Sequence, residues 1–268
     1  MAQFFNSIGR SMGRGPNTRQ PHPNQIPKRS PVLPASSSAP SFNSASDQNQ
    51  NEIYSEPASP NPAAQPKPLY LCNPFVKAAL VKGNFKTIVA QPRYCDLNEW
   101  VAVNIYDFYT NLNMFYGILA ESCTPSNCRT MSAGPTLDYT WIDSSRKQVK
   151  LPAPTYIDYV MSWVQQTLDN GKDFPTKIGV EFQHNFPTIA KQIYRQLLRV
   201  FAHIYHGHFT HLLHLSAEGH FNSLFAHFLA FGKQYDLLDH KDIKGRVGEA
   251  VGVGDLWEKW KEMGILEA

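Results

Sequence analysis

The stretch RQLLRVFAHIYHGHF, residues 195–209, decides the fold of this chain. Read as a helix, it continues an apolar stripe that repeats at steps of three and four residues: Ile189, Ile193, Leu197, Val200, Phe201 and Ile204. Such a stripe predicts a long amphipathic helix with one face in a core. The same turns carry His203, His206 and His208, so this helix also offers side chains that can bind a metal.

Three further long helices are predicted around this one. Asp96 is a good N-cap for a helix whose apolar positions are Leu97, Val101, Phe108, Leu112, Phe115 and Leu119, and Trp100 is expected to be exposed on its other face. The other two helices run from about 156 to 168 and from about 216 to 235, and shorter ones are expected near 74–83 and 256–263. Residues 137–142 and 148–151 alternate as in a small β-hairpin. The chain therefore predicts an all-α helical bundle with a four-helix core and one small hairpin.

Composition limits the classes of protein that fit. The chain has 268 residues, a formal net charge of +3 and 42% hydrophobic residues, enough for one substantial domain and a tail. So small a charge does not require a nucleic-acid or membrane partner. Pro, Lys or Asn interrupts every apolar run before it could span a bilayer, and the first residues lack a signal-peptide pattern. We expect an intracellular protein without membrane insertion, whose four cysteines are free thiols or metal ligands.

The first 66 residues differ in composition from the rest. They are rich in Ser, Pro, Asn and Gln and have almost no core-forming periodicity. Such a segment buries too little apolar surface to offset its ordering entropy. We therefore predict a disordered tail over 1–66 and a helical domain over 67–268, in which the glycine-rich part after 240 is the least well defined.

A possible metal site combines two cysteines with the histidines of the central helix. Cys123 and Cys128 flank Thr-Pro-Ser-Asn, a stretch that favours a turn. Two thiolates and two imidazoles can hold zinc in a tetrahedron, and a closed set of four protein ligands indicates a structural role. Spacing alone leaves the second pair open, as His203 with His206 or His203 with His208. The alternative is two free cysteines and ordinary core histidines.

Five motifs in order resemble one known family. They are Asp96-Leu-Asn-Glu-Trp100, Met131-Ser-Ala-Gly-Pro135, Tyr156-Ile-Asp-Tyr159, Phe174-Pro-Thr-Lys177 and Ala202-His-Ile-Tyr-His206. Together they resemble the Mob (Mob1/phocein) family of kinase coactivators over roughly 74–239. Residues 74–89 are similar to the fungal Mob-two-like branch, which pairs with NDR kinases.

The resemblance implies a bound structural zinc and no enzymatic activity. The family's metal ligands fall on Cys123, Cys128, His203 and His208. Its partner-binding positions fall on Glu99 and Trp100, with Asp107 farther along the same helix and His227 bordering the same groove. The implied partner is the basic N-terminal regulatory segment of an NDR-family protein kinase, bound by a monomer within a heteromeric complex. The implied role is cell polarity and morphogenesis signalling, in the cytoplasm, at the cell cortex or growth sites, and in the nucleus.

One position departs from the family. A related branch grips phosphopeptides with a basic triad, which here reads Arg195, Gln196 and Arg199. A neutral amide in place of a cation removes a charge-assisted contact to phosphate, which argues against phosphothreonine-dependent docking.

Two other functions are alternatives. A zinc-dependent hydrolase would need an open metal position, and the chain has no His-Glu-x-x-His motif. A nucleic-acid-binding module is suggested only by the histidines, the aromatic residues and the slight basic excess.

Overall fold

A computed structural model describes residues 67–78, 83–177, 179–244 and 253–266. All of them belong to one compact unit, Asn61–Ala268. The predicted disordered tail, 1–66, lies outside the described residues, so this domain boundary stays a prediction.

Helices dominate the described residues and confirm the predicted all-α bundle with a four-helix core. Two 3-10 turns, Leu69–Leu71 and Phe75–Lys77, come first. The elements that follow are α1 (Phe85–Ile88), α2 (Leu97–Leu119), β1 (Met131–Ser132), β2 (Asp138–Tyr139), β3 (Trp141–Ile142), β4 (Gln148–Val149), α3 (Ala153–Leu168), α4 (Phe186–His214), α5 (Glu218–Gln234), α6 (His240–Lys244) and α7 (Gly254–Glu262). No helix in these described ranges has the length and apolar character needed to span a bilayer.

Helix α2 begins where the sequence predicts. The Asp96 carboxylate accepts hydrogen bonds from the backbone N–H groups of Asn98 and Glu99, at 2.8 and 3.2 Å. These bonds satisfy two of the N–H groups that a helix start leaves without partners. One face of α2 is buried, through Val101, Ile105, Phe108, Leu112 and Leu119. The opposite face is therefore left to solvent.

Helix α4 lies at the centre of the bundle. It packs against α2, α3 and α5, and the apolar stripe identified in the sequence is buried along most of its length. Its 29 residues span about 43 Å at 1.5 Å per residue. Rings from α5 interlock with it, and Tyr194 stacks on Phe228 with ring centroids 4.2 Å apart. A rigid central helix fixes the positions of the histidines that it carries.

The β structure differs from the single predicted hairpin. Strand β3 pairs with β4 in antiparallel register, Trp141 opposite Val149, as expected. The predicted strand 137–142 is interrupted at Thr140, however, and its first half, β2, pairs with β1 instead. The described residues thus contain two separate two-stranded sheets. The sequence pattern missed β1 because two residues are too few to show alternation.

The first described segment of the chain, residues 67–78, packs against α7. The Trp260 indole N–H of α7 donates to the carbonyl oxygen of Val76 at 2.9 Å. The Asn222 amide of α5 donates to the carbonyl oxygens of Phe75 and Ala78. These carbonyls are bonded to side chains from distant parts of the chain, and only a 3-10 turn forms where a helix over 74–83 was predicted. That prediction was wrong for the described residues.

Candidate metal centre and partner surface

Four metal-binding side chains converge at the end of α2. Cys123 and Cys128 lie on the turn after this helix, where the Cys128 N–H donates to the Thr124 carbonyl at 2.8 Å. The Cys123 Sγ lies 3.6 Å from His203 Nε2, and the Cys128 Sγ lies 3.4 Å from His208 Nε2. All four donor atoms lie within 4.8 Å of one another. The two pairs are each separated by 80 residues in sequence, so the cluster ties the turn to α4.

The structure resolves which histidine joins His203. His208 faces the two sulfur atoms, whereas His206 Nε2 lies 2.9 Å from the Tyr70 hydroxyl. His206 also packs on the turn after β1, where a Cβ on Gly134 would come 3.5 Å from its ring. His206 therefore belongs to the contact between α4 and the N-terminal segment, outside the cluster.

A second hydrogen bond orients one of the imidazoles. The Nδ1 of His203 lies 2.8 Å from the Ser132 carbonyl oxygen, which accepts a hydrogen bond from it. The Nε2 of His203 then carries a lone pair directed at the sulfur atoms, as expected of a metal-binding imidazole. The Nδ1 of His208 is buried and has no hydrogen-bond partner in the described structure.

Burial sets the charge state of the four donors. It raises the pKa of the Cys123 thiol to about 12, with the neighbouring Cys128 adding to the shift. It also raises the pKa of Cys128 and lowers the pKa of His203. The pKa of His208 falls to about 4, chiefly through burial. A bound cation would favour two thiolates and two neutral imidazoles, so metal binding would release thiol protons.

A cavity of about 540 Å³ opens beside the cluster. Polar side chains line it, including Arg129, Ser132, His206 and His211, and no carboxylate is among the lining residues. The cavity is continuous with the cluster, since Cys128, His203 and His208 also line it.

The exposed face of α2 forms a second feature, here named the α2 stripe: Glu99, Val103, Tyr106, Asp107, Met114, Gly117 and Ile118. These positions follow one another at helical spacing on the side opposite the buried face. About half of the surface of each large apolar side chain is exposed, from 53% for Met114 and Ile118 to 55% for Tyr106. Acidic and large apolar side chains thus share one solvent-facing surface.

Two of the four expected partner-binding residues lie on this stripe. Glu99 and Asp107 are exposed there. Trp100 is partly buried, and its indole N–H donates to the Tyr235 hydroxyl at 3.0 Å and to the Val89 carbonyl at 3.3 Å. The expectation that Trp100 is exposed was wrong, because its indole N–H is hydrogen-bonded to Tyr235 and Val89 and its ring is partly buried. Its role in partner binding stays a prediction.

His227 belongs to α5 and packs against the buried face of α2. Its ring packs against Phe108, with centroids 4.8 Å apart, and near Phe85 and Phe231. Burial lowers its pKa to about 4, and its Nε2 has no described hydrogen-bond partner. The structure therefore does not bring His227 onto the α2 stripe, although it does place it beside α1 and α2.

Comparison with known proteins identifies the chain. The profile of the Mob1/phocein family matches residues 77–246. The "Maintenance of ploidy protein mob2" of Schizosaccharomyces pombe is 53% identical over 182 residues, which are 68% of this chain and 75% of that protein.

The chain belongs to the Mob1/phocein family.

Other fungal members of this family are similar over the same region. The "CBK1 kinase activator protein MOB2" of Saccharomyces cerevisiae is 48% identical over 65% of this chain, and that of Candida albicans is 50% identical over 66%. The matched parts are 61% and 56% of those two proteins. The names describe activators of a kinase, which agrees with a non-catalytic protein.

The three positions that form a basic triad in a related Mob branch are bonded to other side chains of this protein. Arg195 forms ion pairs with Asp239, at 2.8 Å, and with Asp242, at 3.0 Å. The Gln196 amide oxygen accepts from the Tyr156 hydroxyl, to which the Arg199 guanidinium donates at 2.6 Å. Arg195 is thus already paired with two carboxylates of the α6 region. This pairing adds to the effect of Gln196 in weakening any phosphate site.

Sequence reasoning missed the apolar residues of the α2 stripe and the hydrogen bond between Trp100 and Tyr235. Val103, Tyr106 and Met114 carried a signal, because they are apolar positions that fall off the helix's own buried stripe. The bond from Trp100 to Tyr235 left no such signal, since the two residues are 135 positions apart in sequence.

Proposed function

We propose that this protein is a non-catalytic activator of an NDR-family Ser/Thr kinase and binds the kinase's N-terminal regulatory segment. It acts as a monomer within that complex, in cell polarity and morphogenesis signalling. Its sites of action are the cytoplasm, the cell cortex or growth sites, and the nucleus. The names of its fungal relatives, two of which are activators of the Cbk1 kinase, support the class of partner.

The α2 stripe is the observation that carries the proposal. Glu99 and Asp107 are exposed carboxylates two turns apart, with Val103 and Tyr106 exposed between them. A basic amphipathic segment fits this pattern, because its Arg side chains can pair with the carboxylates in bidentate fashion and its apolar side chains can cover the middle. The rigidity of a capped 23-residue helix lowers the entropy cost of binding.

Activation would follow from ordering the kinase segment. A segment that is flexible in the free kinase folds against the α2 stripe and is then presented to the kinase lobe in one arrangement. The activator shifts the kinase towards its active state only as far as it binds that state more tightly than the inactive one. No residue of the activator has to contact the phosphate that is transferred.

We further propose that the metal is zinc and that its role is structural. With zinc–sulfur and zinc–nitrogen bonds of about 2.3 and 2.05 Å, a tetrahedral site has a sulfur–nitrogen distance of about 3.6 Å. The two sulfur–nitrogen distances in the cluster, 3.6 and 3.4 Å, support this assignment. Cys123, Cys128, His203 and His208 would supply all four ligands, which leaves no position for a substrate. The bound ion would hold the turn after α2 against α4.

Charge reversal on the α2 stripe tests the proposed function. We expect Glu99→Lys to weaken binding of the kinase N-terminal segment at least tenfold in isothermal titration calorimetry, because an attractive charge pair becomes repulsive. Glu181→Lys is the matched control, since it makes the same charge change at an exposed residue in the loop before α4. Equal binding by both variants and the unmodified protein would rule out this surface.

A further inference from the structure

The two cysteines of the metal cluster differ in their access to solvent. Cys123 is buried, with 2% of its surface exposed, whereas Cys128 is partly buried. Cys128 also lines the cavity of about 540 Å³ beside the cluster, and Cys123 is not among the described residues that line it. This cavity is many times larger than the roughly 30 Å³ that a water molecule occupies in the liquid. A molecule of the size of hydrogen peroxide can therefore reach Cys128 before it reaches Cys123.

The two sulfur atoms are near neighbours. They belong to a set of four donor atoms that all lie within 4.8 Å of one another. A disulfide needs a sulfur–sulfur distance of about 2.05 Å, so the two atoms would have to approach each other. Only Thr-Pro-Ser-Asn separates the two cysteines in sequence. Movement within this one turn is therefore sufficient to join them, and no helix has to shift.

The other two cysteines of the chain are poorer targets for an oxidant. The thiolate, not the thiol, is both the metal ligand and the form that peroxide attacks, so a bound metal keeps the cluster in the reactive form. Cys72 and Cys95 lie outside the cluster, and their sulfur atoms lie 3.4 and 3.5 Å from the carbonyl oxygens of Pro68 and Asp96, to which a thiol can donate. Burial, with the negative charge of the nearby Glu99, also raises the pKa of Cys95.

We propose that Cys128 and Cys123 form a peroxide-sensitive pair that determines whether the turn after α2 keeps its metal. The Cys128 thiolate attacks one oxygen of hydrogen peroxide, the O–O bond breaks, hydroxide leaves, and Cys128 becomes a sulfenic acid. The Cys123 thiolate then attacks the Cys128 sulfur and displaces a second hydroxide, which forms the disulfide. The two hydroxides take up two protons from solvent, so peroxide is reduced to water while the thiolates are oxidised. The inference rests on the proposed structural zinc and adds the condition under which the protein releases it.

Oxidation at this turn has a direct route to the α2 stripe. The Cys123 N–H donates to the carbonyl oxygen of Leu119, the last residue of α2, at 3.0 Å. Gly117 and Ile118 of the stripe belong to this same final turn. A disulfide removes two of the four metal ligands, and the turn then loses its link to His203 and His208 on α4. The oxidised protein therefore has a less stable end of α2, next to the proposed partner surface.

The test treats the metal-loaded full chain with a small molar excess of hydrogen peroxide. Zinc release would be followed with a chromogenic chelator, and the Cys123–Cys128 disulfide would be identified by peptide mass mapping. We expect zinc release and disulfide formation to proceed together and the melting temperature to fall by about 10 °C, as expected when a metal-binding contribution to folding is lost. Dithiothreitol with added zinc should restore both the metal content and the melting temperature. Dimedone, which traps sulfenic acids, should label Cys128 in preference to Cys123.

The control is the double variant Cys72→Ser, Cys95→Ser, which keeps the cluster and should release zinc as the unmodified protein does. Zinc retained while Cys72 or Cys95 is oxidised would overturn the inference. So would zinc release with irreversible sulfinic acids in place of the disulfide, or dimedone labelling of Cys123 first. An untreated protein that contains no zinc would overturn both this inference and the structural metal. Kinase binding and its loss in Glu99→Lys would still be measured separately, so the proposed activator function stands or falls on its own.

Discussion

The metal centre takes two of its residues from the turn after α2, the helix that carries the α2 stripe, but the two sites are specified in different ways. At the metal centre, donors from two segments 80 residues apart point at one another, and three of the four residues are buried. On the stripe, neighbouring side chains of a single helix point to solvent. Convergent residues such as Cys123 and His203 connect two distant segments of the fold, whereas residues such as Tyr106 are exposed.

The largest expected effect is at the metal centre. Cys123→Ser should remove metal binding and lower the stability by roughly 3–5 kcal/mol, about 10 °C in melting temperature, because metal-binding energy contributes directly to folding. Thermal unfolding and elemental analysis of the purified protein would measure both. Cys95→Ser is the matched control, since Cys95 lies outside the cluster.

Equal melting temperatures for Cys123→Ser and the unmodified protein, with no zinc in either, would remove the distinction between the two regions. The turn after α2 would then be held by packing alone.

The stability of the protein should fall at acid pH because of His227, which packs against the buried face of α2. Burial lowers the pKa of His227 to about 4, so its imidazole is neutral in the folded protein where the unfolded chain would already be protonated. When the pKa of a histidine is lower in the folded protein than in the unfolded chain, the folded protein loses stability as the pH falls from about 6.5 to about 4. By this linkage, the unmodified protein should lose about 2 kcal/mol more than His227→Leu between pH 7 and pH 5.

Urea unfolding at the two pH values would measure this loss. His220→Leu, which removes an exposed imidazole from the same helix, is the control and should follow the unmodified protein. An identical pH dependence for His227→Leu and the unmodified protein would mean that His227 is accessible to water, and would return it to the candidate partner surface.

Two glycines sharpen the comparison with the smallest changes. A Cβ at Gly232 would lie 2.8 Å from atoms of both Leu238 and Tyr194, whereas one at Gly117 on the α2 stripe would meet nothing within 4 Å. We expect Gly232→Ala to destabilise the protein by about 1–3 kcal/mol through overpacking. Gly117→Ala should stabilise it by about 0.5–1 kcal/mol, since Ala favours the helix. Chemical denaturation of both variants would measure the two signs, and a loss of stability in Gly117→Ala would show that the stripe is covered.

Local patterns were sufficient to predict the long helices. The Asp96 cap and the apolar spacing of α2 are encoded within a few residues, and so is the stripe of α4. The second histidine of the metal centre was ambiguous, because positions three and five residues after His203 both lie within reach of a flexible turn. The tertiary fold separates them, because His208 faces the two sulfur atoms whereas His206 is bonded to the Tyr70 hydroxyl.

Long-range hydrogen bonds account for two of the errors. Trp100 was expected at the surface because its sequence neighbours are polar, but its N–H is bonded to Tyr235 on α5's C-cap. In the described part of the segment predicted as a helix over 74–83, the Asn222 amide likewise binds the carbonyl oxygens of Phe75 and Ala78. Spacing in one sequence carries no information about such partners.

The bond between Trp260 and Val76 has a practical consequence. Both residues lie outside the span that the family shares, 77–246. A recombinant fragment trimmed to that span would lack Trp260, whose indole packs near Phe225 with ring centroids 5.9 Å apart. The apolar surface of α5 around Phe225 would then be exposed to water. Fragments intended for crystallisation should therefore run from residue 67 to residue 266.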